Sequence, residues 1–533
     1  MAFASHRQGR IPGLPTPLTI AGILLFSVVA LLPPGIMLVK SLIQEGQLSF
    51  GHYQAVFGDL RTWILLARSG GIACGATLVA CVLGIPFALA VSRISFPGNT
   101  LCRMLYLVPL FIPPHVHGLA WIALWGEKGF FATHLPCCML PFELYTVPCV
   151  ALVLGLCYLP LVILPVITGL QTMQHSMEEA AVLSRHPLAA LLKITLPLLK
   201  PYCISGGVFV FIFSFFNYGV SSMFRISTFP VEIMARFSAF YDEAGAAALC
   251  APTILLAVLL LGWQQWMLAG KEFVAISHAR QHSEYHSRLI VKTAAAIFCL
   301  LILCLTVLLP VAALVQQAGS WSNYLMALKT SYKEIGASLL TASLAATATT
   351  ILAYLVARHV ESSRNTSVQG FVTYLPFAFP ATLFGIGLIY TWNTSATQMI
   401  YTTTAILLLA CMGRFIPFAV RILSAGLKQV HPHQLEAALL CESSLWRRLT
   451  RIELPLLLKP LCTCWCIVFI FSMGELGATL LVIPPGLSTA SLKIYTLMHY
   501  GAGSLVAALS LILMFTTLCI STMLFLTTAR GAA

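Results

Sequence analysis

Charge is scarce in this sequence. Asp, Glu, Lys and Arg make up 9% of its 533 residues, and only 17 of them are acidic. A soluble globule of this length needs far more polar surface, so that class is excluded. A G-x-x-x-x-G-K-[ST] phosphate loop is also missing, which excludes nucleotide hydrolysis at a Walker-type site on this chain. Metal-binding clusters are wanting too. Cys462, Cys464 and Cys466 alternate, and alternate helical positions do not share a face. Most of the 17 cysteines stand inside apolar runs, where a free thiol acts as a small hydrophobe. Cys137 and Cys138 are neighbours in a predicted outer loop, an arrangement unsuited to bridging, and no role is expected for them.

Long apolar runs are what the chain does have. It is 59% hydrophobic with a mean hydropathy of +0.90. Runs of about 20 apolar residues recur along nearly its whole length, and backbone groups in hydrocarbon must be satisfied within each segment, so helices are expected rather than barrel strands. Spans are predicted at 17–39, 63–92, 101–125, 144–171, 201–224 and 244–270, then at 290–317, 335–360, 367–392, 400–426, 460–484 and 499–528. The first is too long for a signal-peptide core and is expected to remain. The fold class is therefore all-α: a polytopic membrane protein of about twelve transmembrane helices.

Twelve spans make the loops alternate sides, and the basic residues alternate with them. Arg7, Arg93, Arg185, Lys271, Arg358, Lys428, Arg447 and Arg448 belong to one set of loops and ends, with many others. Lys40, Arg61, Lys128, Arg236 and Lys493 belong to the sparser set. The basic side, with both termini, is predicted to be cytoplasmic. The net charge of +13 is thus orientation in a membrane, not a nucleic-acid surface.

The sequence also repeats. Phe211-Ile212-Phe213-Ser214 returns as Phe469-Ile470-Phe471-Ser472, each preceded by Lys193-Ile194-Thr195-Leu196-Pro197 or Arg451-Ile452-Glu453-Leu454-Pro455. Two tandem repeats of six spans are expected, at 1–270 and 290–533, parallel because each holds an even number of spans, with 271–289 as a cytoplasmic linker. Each repeat carries a cytoplasmic segment, 172–200 or 427–459, too apolar for a simple loop and too interrupted for a span. The first holds Glu178, Glu179, Ala180, Ala181 and Ser184; the second holds Glu436, Ala437, Ala438 and Glu442. Each reads as a helix, a break and a short amphipathic helix ended by its proline: a docking element for another protein. The bland alternative, a helix lying on the membrane, would have to arise twice in register.

These segments resemble the E-A-A-x-x-x-G-(x9)-I-x-L-P loop of type I ABC importer permeases. The second copy matches at Glu436, Ala437, Ala438, Ile452, Leu454 and Pro455; the first matches at Glu178, Ala180, Ile194, Leu196 and Pro197, with Glu179 in the first alanine position. Both lack the glycine, which is Ser184 in one and Glu442 in the other, so the break is expected in ordinary φ/ψ space or under modest strain. The two-copy chain is similar to the fused permeases of ferric-iron and thiamine importers. The resemblance implies a multi-pass protein of the bacterial inner membrane, two copies of a cytoplasmic ATPase holding ATP and Mg, and a periplasmic or lipid-anchored solute-binding protein. It implies no cofactor on this chain and no enzymatic activity of its own. Ferric iron is the first substrate expected, with thiamine, polyamine and phosphonate as alternatives.

Polar groups in apolar runs are candidates for the translocation path. Glu475, its repeat counterpart Asn217, Arg414 as a partner for Glu475, and the pair His115 and His117 beside Pro113-Pro114 form that set. Each has a structural alternative, a hydrogen bond between helices. No metal site is expected at the two histidines, which lack a third ligand. The outer segment Val231 to Asp242 reads as an amphipathic element, either a surface for the binding protein or a lid on its own bundle. The competing classes are an ion-coupled secondary transporter, for which only Glu475 and Arg414 speak, and a membrane enzyme.

Overall fold

The computed structural model describes residues 15–44, 47–127, 129–134, 143–173, 187–268, 289–363, 366–430 and 432–530. Apolar side chains without charge to solvate leave the backbone to satisfy itself, and the chain is helical almost throughout. Among the described residues the strands are a two-residue pair, Ile43–Gln44 with Gln47–Leu48. Among the described residues eight helices are long and apolar enough to cross a bilayer, and bent pairs bring the number to as many as twelve. They fall on the twelve predicted runs.

Proline sets the shape of these helices in two recurring ways. Where it stands between helices it makes a corner: Pro113 and Pro380 both have extended ψ (144° and 147°), and a new helix begins at the next residue. The second of these corners turns the chain by 94°, between Val368–Ala378 and Ala381–Trp392. The expected break at Pro113-Pro114 is therefore present, and the second repeat has its equal. Where proline lies two residues past a π-helical turn, the helix runs on. Ser27–Leu31 precedes Leu32-Pro33, Leu191–Thr195 precedes Leu196-Pro197, Cys304–Leu308 precedes Leu309-Pro310, and Leu449–Glu453 precedes Leu454-Pro455. The wider turn relieves the clash between the proline ring and the carbonyl four residues back. This corrects the expectation that Pro197 and Pro455 end their helices. Helix Leu196–Phe215 continues straight through Pro197, and past Pro455 the break comes only at Leu457, before helix Leu458–Met473.

Two spans are shorter than predicted. Helix Leu196–Phe215 and helix Leu458–Met473 end well before residues 224 and 484, and each is followed by a non-helical break and a short helix, Gly219–Met223 or Thr479–Val482. Hydropathy averages over such an end, because the polar residues past it, Asn217 or Glu475 first among them, are outweighed by apolar neighbours.

The chain forms two compact units that interleave in sequence. One comprises Met1–Lys40, Lys333–Thr489 and Thr516–Ala533; the other comprises Ser41–Tyr332 and Ala490–Phe515. Each unit therefore contains the first span of the opposite sequence half. In the first unit, Phe384, Leu388, Ile406, Leu407, Ala410, Ala478 and Val482 form a buried core around the short helix Thr479–Val482. Gly413 admits the π turn of the first span there: a Cβ on it would lie 2.7 Å from the Val29 carbonyl oxygen. In the second unit, helix Leu60–Arg93 packs on Val147–Cys157, Pro160–Thr172 and Leu196–Phe215, with Gly155 against the Ala76 carbonyl.

Candidate functional site

The second predicted docking segment is described from Pro432 onward. Helix Pro432–Cys441 turns Leu435 and Ala438 inward and leaves Glu436, Ala437 and Leu440 outside. Glu436 meets His433 at 3.1 Å on that open face. At the break, the Glu442 carboxylate accepts from the Ser444 backbone N–H at 3.2 Å, closing the turn from its own side chain. Among the described non-glycine residues only Arg225 and Tyr241 have positive φ, so Glu442 replaces the glycine in ordinary φ/ψ space. A four-residue helix, Leu445–Arg448, follows and exposes Trp446. Leu440 and Trp446 are 89% and 75% exposed, large apolar groups that the fold itself leaves uncovered. Glu178, Glu179, Ala180, Ala181 and Ser184, like the linker to Arg288, lie outside the described residues.

Behind this face lies a charged cluster that the sequence reading did not single out. Glu453, at the open position of I-x-L-P, is 1% exposed. Its carboxylate accepts from the Tyr354 hydroxyl at 2.7 Å and pairs with Arg358 at 3.4 Å and Arg448 at 3.3 Å. Arg358 is itself 1% exposed. Tyr354 and Arg358 belong to helix Trp321–Ser362, while Arg448 and Glu453 belong to the segment just described. One turn further along the same span, Glu361 meets Lys428 at 3.5 Å, in the last turn of helix Ala405–Gln429. A lone acid among Arg447, Arg448 and Arg451 was the available signal, but its partners on another helix were not.

The breaks after the two shortened spans share one device. The Asn217 side-chain oxygen accepts from the Val220 backbone N–H at 2.9 Å, and the Glu475 carboxylate accepts from the Ala478 N–H at 2.8 Å. Each satisfies an amide at the start of the short helix beyond it, as a capping side chain does. Asn217 also donates to the Tyr158 hydroxyl at 3.2 Å, and Glu475 forms an ion pair with Arg414. Neither residue is within a span helix, as the sequence had led one to expect; both stand just past its end.

His115 and His117 are buried in helix Pro114–Trp125. They do not act as a pair: His115 meets the Ser491 hydroxyl at 3.2 Å, while His117 meets the Pro109 carbonyl at 3.3 Å. On the helix that carries Ser491, Tyr495 meets Tyr218 and Ser222 at 3.0 and 3.1 Å. The outer amphipathic element is helix Phe229–Ser238. It buries Phe229, Pro230 and Ile233, and its Glu232 pairs with Arg61 at 3.0 Å, while Phe240 and Tyr241 are exposed.

With this geometry in view, comparison with known proteins is informative. Residues 349–528 match the family of binding-protein-dependent transport system inner membrane components. The chain is 24% identical over 442 residues to the Fe(3+)-transport system permease protein FbpB 2 of Haemophilus influenzae, covering 79% of this chain and 81% of that one. It is 29% identical to the molybdenum transport system permease protein ModB of Escherichia coli over 38% of this chain and 93% of that protein. It is 33% identical to a putative 2-aminoethylphosphonate transport system permease protein, PhnV, of Salmonella typhimurium, over 28% of this chain and 55% of the relative.

Proposed function

We propose, from the premise that this chain is a multi-pass inner-membrane permease of the ABC importers and resembles the fused ferric-transport permeases, that it forms the path for ferric iron. The solute would be delivered by an external binding protein, periplasmic or lipid-anchored, and driven by two copies of a cytoplasmic ATPase that hold the ATP and Mg. In this reading residues 1–270 and 290–533 are two permease repeats joined by a cytoplasmic linker, and both termini face the cytoplasm. The chain itself needs no cofactor and carries out no covalent chemistry. Lipid is its other partner.

The observation that carries the reading is the helix–break–helix at 432–448, with Glu436, Leu440 and Trp446 exposed on the segment that matches the importer loop. An apolar anchor rimmed by charge is what a protein cleft receives. ATP binding would bias one arrangement of the paired ATPases and so of the two loops, and hydrolysis would release it. Iron is favoured over molybdate or phosphonate because the ferric-transport relative matches along four-fifths of both chains, whereas the others match only part of this one. The Arg414–Glu475 pair gives little support to an ion-coupled carrier, since both groups are already engaged, Glu475 with the Ala478 amide as well.

The test is purification of the intact chain from its native membrane with identification of bound subunits, repeated after Glu178→Lys with Glu436→Lys. An ATPase that accompanies the wild type and is lost from the double variant is expected. Uptake of labelled ferric iron, set against molybdate and 2-aminoethylphosphonate, then decides the solute. A chain that purifies alone and transports on an ion gradient would overturn the reading.

A further inference from the structure

Each repeat carries a basic pair around its I-x-L-P signature: Lys193 and Lys200 in the first, Arg451 and Lys459 in the second, where one further leucine separates them. All four are exposed. Thr195 and Leu199 of the first stretch and Glu453 and Leu457 of the second are buried, so each stretch turns one side to its own bundle and the other outward. Large apolar side chains share the outward side: Leu192 and Leu198 are 54% and 43% exposed, Leu456 and Leu458 43% and 38%. Neighbouring cations are engaged within the protein. Arg93 donates to the Leu170 carbonyl at 2.9 Å and Arg103 to the Val91 carbonyl at 2.8 Å, while Arg358 and Arg448 hold Glu453 and Lys428 holds Glu361. Among the described residues none of the four outward cations has an acidic partner.

Both pairs stand where a helix enters its span. The apolar helix Leu191–Phe215 is 25 residues long, roughly 37 Å at about 1.5 Å per residue, against about 30 Å of hydrocarbon. The surplus falls to its first turns, the polar end, which sets Lys193 at headgroup depth and Lys200 within reach of it along a lysine stem. In the second repeat, helix Leu445–Leu456 meets helix Leu458–Met473 at 78°. A helix at that angle to its span lies along the membrane surface, with Arg451 on it and Lys459 at the entry of the span. A cation at headgroup depth beside an exposed leucine offers a phosphodiester its counter-charge and an acyl chain its apolar contact. The two stretches differ in bend, in length and in the buried residue at Thr195 or Glu453, yet both keep this outward set.

We infer that Lys193 with Lys200, and Arg451 with Lys459, each form a headgroup site for an anionic phospholipid, with Leu192 and Leu198, or Leu456 and Leu458, against its acyl chains. The sites require only that these helices enter a membrane; neither the solute nor the ATPase bears on them. A zwitterionic headgroup brings its own ammonium group to the same place and so cancels the attraction. The sites therefore select phosphatidylglycerol over phosphatidylethanolamine.

The test is native mass spectrometry of the full chain in detergent, titrated with phosphatidylglycerol or with phosphatidylethanolamine. The wild type is expected to hold phosphatidylglycerol at least about tenfold more tightly, as two basic groups near a membrane surface supply. Lys193→Gln with Lys200→Gln should remove that preference at one site, Arg451→Gln with Lys459→Gln at the other, and all four together at both. Lys193→Arg with Lys200→Arg keeps the charge and should keep the preference. Inorganic phosphate, the other source of such an anion, should not displace the lipid, and displacement overturns the lipid assignment. Equal binding of the two lipids by the wild type, or glutamine variants that still prefer phosphatidylglycerol, overturns the inference. So does a fourfold variant that keeps the lipid and loses a co-purifying ATPase, since the cations then serve the protein interface. Should a glutamine variant fail to fold, the wild type decides by ionic strength: a preference that fades as ammonium acetate is raised upholds the sites, and one that salt leaves unmoved overturns them. A wild-type chain that recruits no ATPase removes the importer reading and leaves these outcomes as they stand.

Discussion

The two loop-to-span joints differ in what holds them. At the first, a guanidinium meets a backbone carbonyl and the loop contributes an alanine and a threonine. At the second, a buried carboxylate binds two guanidinium groups and a phenol from two helices. Duplication gave both the same backbone device, a π-helical turn followed by Leu-Pro, so among the described residues the difference lies in side chains. An ion cluster such as the second joint's is worth little while intact and much when broken. The comparison teaches that a repeat can preserve a backbone shape while changing the side chains that hold it.

The sharpest way to break the comparison is to truncate the two counterparts. Glu453→Ala leaves Arg358 and Arg448 buried without an anion and is expected to cost about 3–5 kcal/mol. Thr195→Ala removes one hydroxyl and is expected to cost about 1 kcal/mol. Thermal unfolding of the detergent-solubilised chain reads both, and equal losses would mean that the joints are equivalent after all.

The breaks at Asn217 and Glu475 offer a second, smaller contrast. Glu475→Gln keeps an oxygen for the Ala478 amide but removes the counter-charge of Arg414, and a loss of about 1–3 kcal/mol is expected. Asn217→Ala gives up a cap and a bond to Tyr158, for about 1 kcal/mol. The same unfolding measurement applies; if Glu475→Gln proves neutral, the ion pair contributes nothing beyond the cap.

Much of this was legible in the sequence, and the limits are physical. Apolar length located the spans because hydrocarbon thickness sets it, and Pro113-Pro114 announced a corner because proline disfavours a helical ψ in the preceding residue. The pairing of Arg414 with Glu475 followed from two charges in apolar surroundings. The ends of the helices at Phe215 and Met473 were missed because Asn217 and Glu475, just past them, read as polar groups inside longer apolar runs and not as the caps of a break. So was the continuation through Pro197 and Pro455, which depends on a widened turn that no residue type encodes. The Glu453 cluster was hidden for another reason. Tyr354 and Glu453 lie 99 residues apart, and a charge at the open position of a motif looks like any solvated residue until its partners are found.

One contrast remains within the second joint itself. Lys428 pairs with Glu361 of the span and Arg448 pairs with Glu453 beside the span's Arg358, yet the Lys428 side chain is 58% exposed and that of Arg448 only 9%. Water screens an exposed pair and solvates each partner when it breaks, so Lys428→Ala should cost no more than about 0.5 kcal/mol. Arg448→Ala removes a buried partner and should cost several-fold more, in the same unfolding assay. The difference assigns rigidity to the exit of the loop and compliance to its start. If Lys428→Ala costs as much as Arg448→Ala, burial does not separate the two pairs, and the exposed pair holds the segment as firmly as the buried cluster does.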